Sequence, residues 1–533
     1  MSRAQQYPRL TLALVCLPVF IGALDLTIVS AVLPEVIRSL TIEIQKLDIA
    51  GWVVTGYFIS YAVSMTFMGK VSDLAGRRIV YLACLAIFFA GSWLVAASPG
   101  WPASLALHVM QTVQHQPQPE FAALYALIAG RVVQAFGAGA MVPVSMALVG
   151  DLFPPEKRAL PLGVVGAIDT AGWVLGHLYG GIMVQFMSWP YLFWINLPVV
   201  FVIFCVTWWG LSGLPGATIN GRIDWLGVIL LGAALVLLNI GLGSPEMSDA
   251  TLGEVASPDR WYWIAAAAAV FVAFLVSQRM RREPMLDLRI FSNRNLSAAS
   301  AINLLVGFCI MIALVSVPLF INIAGGAEIK QAALVTGYLL CAFTVPMALA
   351  AVPGGWLVMR AGYRTAVVLG LAVAMIGFWM MSRWTPDMAS HAVAVLSDVE
   401  HAASGAVRQV AFMAAGLAMA GIGIGLTIAP LGTAVINAVG ERDRGMASSL
   451  VIILRLVGMS VSMSAMTAFA LGRTTILSRA MILPEDALDL EKTARVILDV
   501  VTRITSEIAL ISLGVAVIAA VVALRLRRGD ASL

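Results

Sequence analysis

The sequence predicts an all-α polytopic membrane protein of fourteen spans, two pseudo-symmetric six-helix bundles with two linker helices between them. Three observations lead there. The 533 residues are 60% hydrophobic and 12% charged, with a mean hydropathy of +0.92, whereas a soluble domain carries about 25% charged residues. Fourteen apolar stretches approach the roughly 20 residues that a helix needs to cross a hydrocarbon layer about 30 Å thick. A single offset of 286 residues lays features of the first half on the second, taking Gly69 to Gly355, Ala75 to Ala361, Gly76 to Gly362, Arg78 to Arg364, Gly139 to Gly425, Arg158 to Arg444 and Asp169 to Arg455.

The same figures exclude other classes. The net charge of +4 is modest and the positive residues cluster in alternate loops, which speaks for orientation and not for nucleic-acid binding. Cys16, Cys84, Cys205, Cys309 and Cys341 each stand alone in an apolar run, which reads as core packing and not as a zinc or redox site. His108, His115, His391 and His401 lie in outer segments without metal-ligand spacing, so no metal is expected. Nothing resembles a soluble catalytic or signalling module, and an enzyme is not expected.

In chain order, span 1 (11–37) follows Arg3 and Arg9 and runs on past Asp25 without a cleavage pattern, so it reads as a retained helix. Asp25 lies near its middle, a titratable group where ionisable side chains are costly and mark pathways. Span 2 (49–68) leads into GKVSDLAGRR, Gly69–Arg78. Glycines there permit a tight turn, and the charges can clamp a neighbouring helix end. Span 3 (79–97) is followed by an outer segment at 98–120, and span 4 (121–150) contains RVVQAFGAGAMVP, with Arg131 and Gln134 one turn apart. GAGAMV is no nucleotide loop, because no strand precedes it.

Span 5 (163–187) carries a glycine lane. At about 100° per residue Gly172, Gly176 and Gly180 form a bare strip, with Asp169 within roughly 60° of each. Small residues let a second helix approach closely. A charge facing lipid costs about 2.5–3.5 kcal/mol, so Asp169 should face protein or water. His177 sits in the same run, either as a relay, since imidazole titrates near neutrality, or as a packed neutral ring. Span 6 (191–211) opens with WPYLFWINLP, spans 7 (225–243) and 8 (260–277) form the linker, and spans 9–14 lie at 298–322, 334–357, 365–383, 405–439, 446–471 and 503–525. The outer segment at 384–404 corresponds to that at 98–120, and 482–501 reads as an amphipathic outer helix. The domains expected are 1–211, 212–297 and 298–533.

With the N-terminus placed inside, twenty of the 33 lysines and arginines fall in inside segments, eleven in outside ones and two, Arg131 and Arg455, within spans. The bias predicts two cytoplasmic termini. Asp169 and Arg455, equivalent by the repeat, are either a gate that closes in one conformation or two separate polar anchors.

Several motifs carry a family likeness. Gly69, Asp73, Gly76, Arg77 and Arg78 resemble the signature loop of the major facilitator superfamily, with Leu74 where an arginine often stands. GALDLTIVSAVLP resembles the first-span pattern of its fourteen-span drug:proton antiporters, Ser30 replacing an asparagine, and Arg131 with Gln134 resembles the arginine motif. Gly163, Gly172, Gly176, Gly180 and Gly181 are similar to the antiporter motif, with His177 in place of its proline. That loss puts the usual helix bend in doubt. Leu178–Gly180, FWMMSRWTPD at Phe378–Asp387 and Arg455 before Leu-Val-Gly-Met resemble the mycobacterial branch that exports triacylglycerides and related lipids.

The resemblance implies the major facilitator fold, export by alternating access in a cell inner membrane, and Asp73 helping to hold the halves in one state. Protons would couple through Asp25, Arg131, Asp169 and Arg455, with Gln134 and His177 as cavity or relay candidates. The partners implied are a hydrophobic, amphipathic or lipid substrate, protons and the bilayer. A proton gradient and no cofactor would drive the cycle, in a monomer. A dedicated lipid exporter, an uptake permease and a non-transporting sensor are the alternatives.

Overall fold

The computed structural model describes residues 7–40, 47–113, 121–212, 224–242, 259–281, 284, 288–324, 329–397, 403–440, 443–481 and 490–527. Among them there is no strand. This is the expected outcome for apolar runs in lipid, where each backbone N–H and C=O must find its partner within its own segment.

Sixteen α-helices are described. The first eight are α1 (Pro8–Ser39), α2 (Leu47–Ala75), α3 (Arg77–Ala97), α4 (Trp101–Val113), α5 (Ala122–Gly139), α6 (Met141–Leu152), α7 (Ala159–Phe186) and α8 (Pro190–Gly210). Then follow α9 (Trp225–Leu242), α10 (Asp259–Met280), α11 (Arg294–Ala324), α12 (Ile329–Met381), α13 (Pro386–Ser397), α14 (Ser404–Ile436), α15 (Arg444–Met481) and α16 (Leu490–Ala523). Nine stretches among the described residues are long and apolar enough to cross a membrane, with α5 and α6 together forming one of them and α12 counted once.

The 286-residue repeat reappears in the backbone. Among the described residues the two glycines with positive φ are Gly76 (94°) and Gly362 (78°), equivalent positions of the two halves. Gly76 separates α2 from α3, and Gly362 breaks α12 in two. With ψ of 138° and 171° both combine positive φ with an extended ψ, a conformation essentially confined to glycine and costing another residue about 1–3 kcal/mol, which explains glycine at both turns. The outer segments also match. Each contains a short helix, α4 and α13, that the sequence reading left undefined. In α13 Met388, Ala389 and Ala392 form a buried face, too short a pattern to identify from periodicity. Residues 482–489 of the predicted outer helix lie outside the described residues, and from Leu490 the chain is one helix to Ala523, two residues short of the end of the last predicted span. In place of a bent fifth span, α7 is one continuous helix.

The chain divides into two compact units. Unit 1 comprises residues 1–250, 258–293 and 435–453, and unit 2 comprises 251–257, 294–434 and 454–533. In unit 1, α1 lies along α7, α3 packs against α5 and α8, and α2 packs on α5. Their shared core includes Ile28, Val32, Val95, Leu124, Leu192 and Phe193. The α9–α10 hairpin leans on α2 and is fastened at one end by Asp224. That carboxylate accepts the Gly227 N–H at 2.9 Å and Gln278 Nε2 at 2.8 Å, and pairs with Arg281 at 2.7 Å. In unit 2, α16 packs on α11 and α12 around Ile312, Met466, Val500, Ile504 and Ile508. Arg473 grips both oxygens of Glu507 there, and His391 of α13 meets Gln409 of α14 at 2.5 Å.

Candidate functional site: a buried carboxylate–guanidinium centre

Four helices of unit 1 converge on Asp25. From α5, Arg131 donates through NH1 to Oδ2 at 2.6 Å and through NH2 to the Asp25 carbonyl oxygen at 3.3 Å. One turn on, Gln134 donates Nε2 to Oδ1 at 3.0 Å and to Ser92 Oγ of α3 at 2.8 Å, while its Oε1 accepts Arg131 NH1 at 2.7 Å. From α8, Asn196 Nδ2 reaches Oδ1 at 3.3 Å. The Arg131 guanidinium lies over the Tyr57 ring of α2 at 3.9 Å and 5.9 Å from the Phe193 ring. Asp25 and Gln134 are 0% exposed and Arg131 is 1% exposed.

The accounting favours a carboxylate in its acceptor-only form. Both oxygens are met by N–H donors, and the guanidinium is neutralised where solvation by water is lost. A proton arriving on Asp25 would set an O–H against those donors and leave Arg131 without its counter-charge. The centre therefore has two electrostatic conditions that cannot share one hydrogen-bond pattern.

The sequence motifs identify Asp25, Arg131 and Gln134, and the structure brings all three together. They do not identify Ser92, Asn196 or Tyr57. Asn196 carried the one available signal, an amide within the apolar WPYLFWINLP run.

The glycine lane of α7 packs on the face of α1 next to this centre. A Cβ on Gly172 would stand 2.6 Å from Ala23 Cβ and 2.8 Å from the Phe20 carbonyl oxygen, and one on Gly176 would collide with Thr27 Oγ1 and the Leu24 carbonyl oxygen. Thr27 Oγ1 donates to the Trp173 carbonyl oxygen at 2.8 Å across the same seam. Gly163 and Gly180 are buried on α7; Gly181 and His177 also belong to that helix, but their side-chain positions lie outside the described residues. Asp169 is buried in unit 1 at 6% exposure. Arg455 is buried in unit 2 at 8% and donates to Asn303 Oδ1 at 3.3 Å.

A second polar cluster of unit 1 surrounds the Gly69–Arg78 turn. Asp73 pairs with Arg77 and accepts the backbone N–H of Gly445 at 3.1 Å and of Met446 at 3.3 Å. Those are orphan amides of the first turn of α15, where a negative charge is favoured. Asp151 takes Arg77 Nε at 3.2 Å and Arg444 NH1 at 2.8 Å, and Arg158 donates NH1 to Asn437 Oδ1 at 2.9 Å. Lys70 pairs with Asp443 at 3.5 Å. The repeat offset relates Arg158 to Arg444 and also Asp151 to Asn437. The two contacts are thus reciprocal, each arginine reaching the acceptor of the other half's sequence. Exchange of Asp for Asn hid the second relation. Of the two glycines expected to shape the turn only Gly76 does so; Gly69 lies within α2 and lets it approach α15, a Cβ there standing 2.9 Å from the Gly445 carbonyl oxygen, while Arg78 turns away to Trp208.

Loss of a capping carboxylate costs about 0.5–2 kcal/mol. Asp73→Ala, which removes the acceptor altogether, is accordingly expected to speed deuterium exchange at the Gly445 and Met446 amides about 2- to 30-fold. Unchanged exchange would show that the carboxylate does not hold them.

Comparison with known proteins agrees with this architecture. The Major Facilitator Superfamily model matches residues 15–325. The chain is 30% identical over 484 residues to the probable triacylglyceride transporter of Mycobacterium leprae, covering 90% of this chain and 88% of that one. It is 32% identical over 459 residues to the triacylglyceride transporter of Mycobacterium tuberculosis H37Rv, covering 86% and 82%. Two solved structures share the fold: the human organic anion transporter MFSD10, with a TM-score of 0.56, 13% identity and coverage of 95% and 99%, and the proton:xylose symporter XylE, with a TM-score of 0.56, 12% identity and coverage of 95% and 94%. The chain belongs to the major facilitator superfamily and is a multi-pass membrane transporter.

Proposed function

We propose that this transporter exports hydrophobic or amphipathic molecules against an inward flow of protons, and that a neutral lipid of the triacylglyceride class is its cargo. The buried Asp25–Arg131 centre carries the coupling part of the reading. The lipid part is supported by the names of the mycobacterial relatives, which align over most of both chains.

Proton binding at Asp25 removes the charge that Arg131 answers, and the tie among α1, α3, α5 and α8 loosens. Because Gly172 and Gly176 seat α7 on α1 within a turn of Asp25, movement of α1 is passed to α7. At the turn, release of the α15 N-terminus from Asp73 and Asp151 accompanies the switch. The cycle is alternating access in an inner membrane with both termini cytoplasmic, supported by the lysine and arginine bias. The proton gradient supplies the energy, and no cofactor is required.

The test is reconstitution into vesicles, following a fluorescent triacylglyceride and a lipophilic cation in parallel, with an imposed pH gradient and with that gradient collapsed. Gradient-driven movement of the lipid is expected. Movement indifferent to the gradient would reject proton coupling, and movement of the cation alone would reject lipid cargo.

A further inference from the structure

We infer that the groove between α3 and α8 is a binding site for an anionic phospholipid, separate from the Asp25 centre. The groove encloses about 390 Å³ and opens outward from unit 1. Its floor is a stripe of α3, Ile79, Leu82, Ala83 and Ala86, spaced as one helix face, and its wall is Phe204 and Trp208 of α8. Ala83 and Ala86 are exposed, and their short side chains leave the channel between Leu82 and Phe204 free for an acyl chain. At one end, where α3 begins and α8 ends, stands Arg78.

Arg77 and Arg78 are neighbours with opposite surroundings. Arg77 is consumed by Asp73, Asp151 and Ser72. Among the described residues no carboxylate lies within 4.0 Å of Arg78; one of its five N–H groups donates to the Trp208 carbonyl oxygen, at 3.4 Å, and its enclosed Nε has no hydrogen-bond partner. The guanidinium also sits 5.5 Å from the Trp208 ring, half-buried at the end of an otherwise apolar channel. Both helices of the channel are candidate membrane spans. A cation at that level, beside an interfacial tryptophan, matches a phosphate with chains descending into the bilayer. A lipid with a net negative headgroup is favoured over a zwitterionic one, whose own ammonium competes with Arg78 for the phosphate.

The experiment is native mass spectrometry of the delipidated full chain in detergent, titrated with phosphatidylglycerol and with phosphatidylcholine of the same chains. One phosphatidylglycerol is expected to bind about tenfold more tightly than phosphatidylcholine. Arg78→Gln should abolish the preference, and Ala83→Trp, which fills the exposed channel and leaves the cation in place, should weaken both lipids. Equal binding of the two lipids by the unaltered protein, or binding by Ala83→Trp like that of the unaltered protein, would overturn the assignment. Displacement of phosphatidylglycerol by triacylglyceride would overturn it in favour of a cargo path, and displacement by inorganic phosphate alone would reduce the groove to an anion site.

Discussion

Asp25→Asn is expected to reduce gradient-driven transport to the level of empty vesicles, the largest effect available from a single atom exchange in this protein. The substitution preserves shape but removes the titratable charge and turns one of the two acceptor oxygens into an N–H donor facing N–H donors. It also leaves Arg131, 1% exposed, without its counter-ion. Breaking one partner of a buried pair costs about 3–5 kcal/mol. The thermal midpoint should therefore fall in the single variant, and a loss of transport alone would not separate coupling from stability. Asp25→Asn combined with Arg131→Gln separates them. With neither charge present, the cluster of amides and Ser92 can re-pair, and the midpoint should recover toward that of the unaltered protein while gradient-driven transport stays absent. Gradient-driven transport by the double variant would remove Asp25 from the coupling mechanism. A midpoint that does not recover would instead show that the two side chains do not act as a pair.

What could be read from the sequence divides along physical lines. Helix existence was legible, because a long apolar run has few alternatives in a membrane. Asp25 and Arg131 were legible because charges in such runs are expensive and therefore conspicuous. Their neighbours were not. Ser92 and Tyr57 cost little in a helix of any role, and Asn196 lies 171 positions from the carboxylate it meets, a separation that no local period reports. Reciprocity between Arg158–Asn437 and Arg444–Asp151 was half visible. The offset aligned the arginines, but the acceptors differ in charge and escape a search for identical residues. The glycine lane was the reverse case: its spacing announced close packing, and only the structure supplied the surface, the segment of α1 from Phe20 to Thr27.

That surface sets the second large effect. Gly176→Ala is expected to destabilise the protein by about 1–3 kcal/mol, the range for forcing extra volume into a filled interface. Gly176→Leu should abolish both folding and transport. The reason is that the obstruction is backbone: a Cβ at 176 collides with the Leu24 carbonyl oxygen and stands 3.1 Å from its carbon, so no side-chain rotation relieves it. Separation of α7 from α1 is the remaining response, and it would also break the 2.8 Å bond from Thr27 to the Trp173 carbonyl. Glycine in a helix is ordinarily a weak point, and replacement by alanine gains about 0.4–1 kcal/mol where space allows. Gly514 provides that control, since a Cβ there meets nothing within 4 Å. Gly514→Ala should hold or raise the thermal midpoint while Gly176→Ala lowers it. Equal midpoints and equal transport in the two variants would mean that the lane is not a packing seam, and the route from Asp25 through α1 to α7 would lose its physical basis.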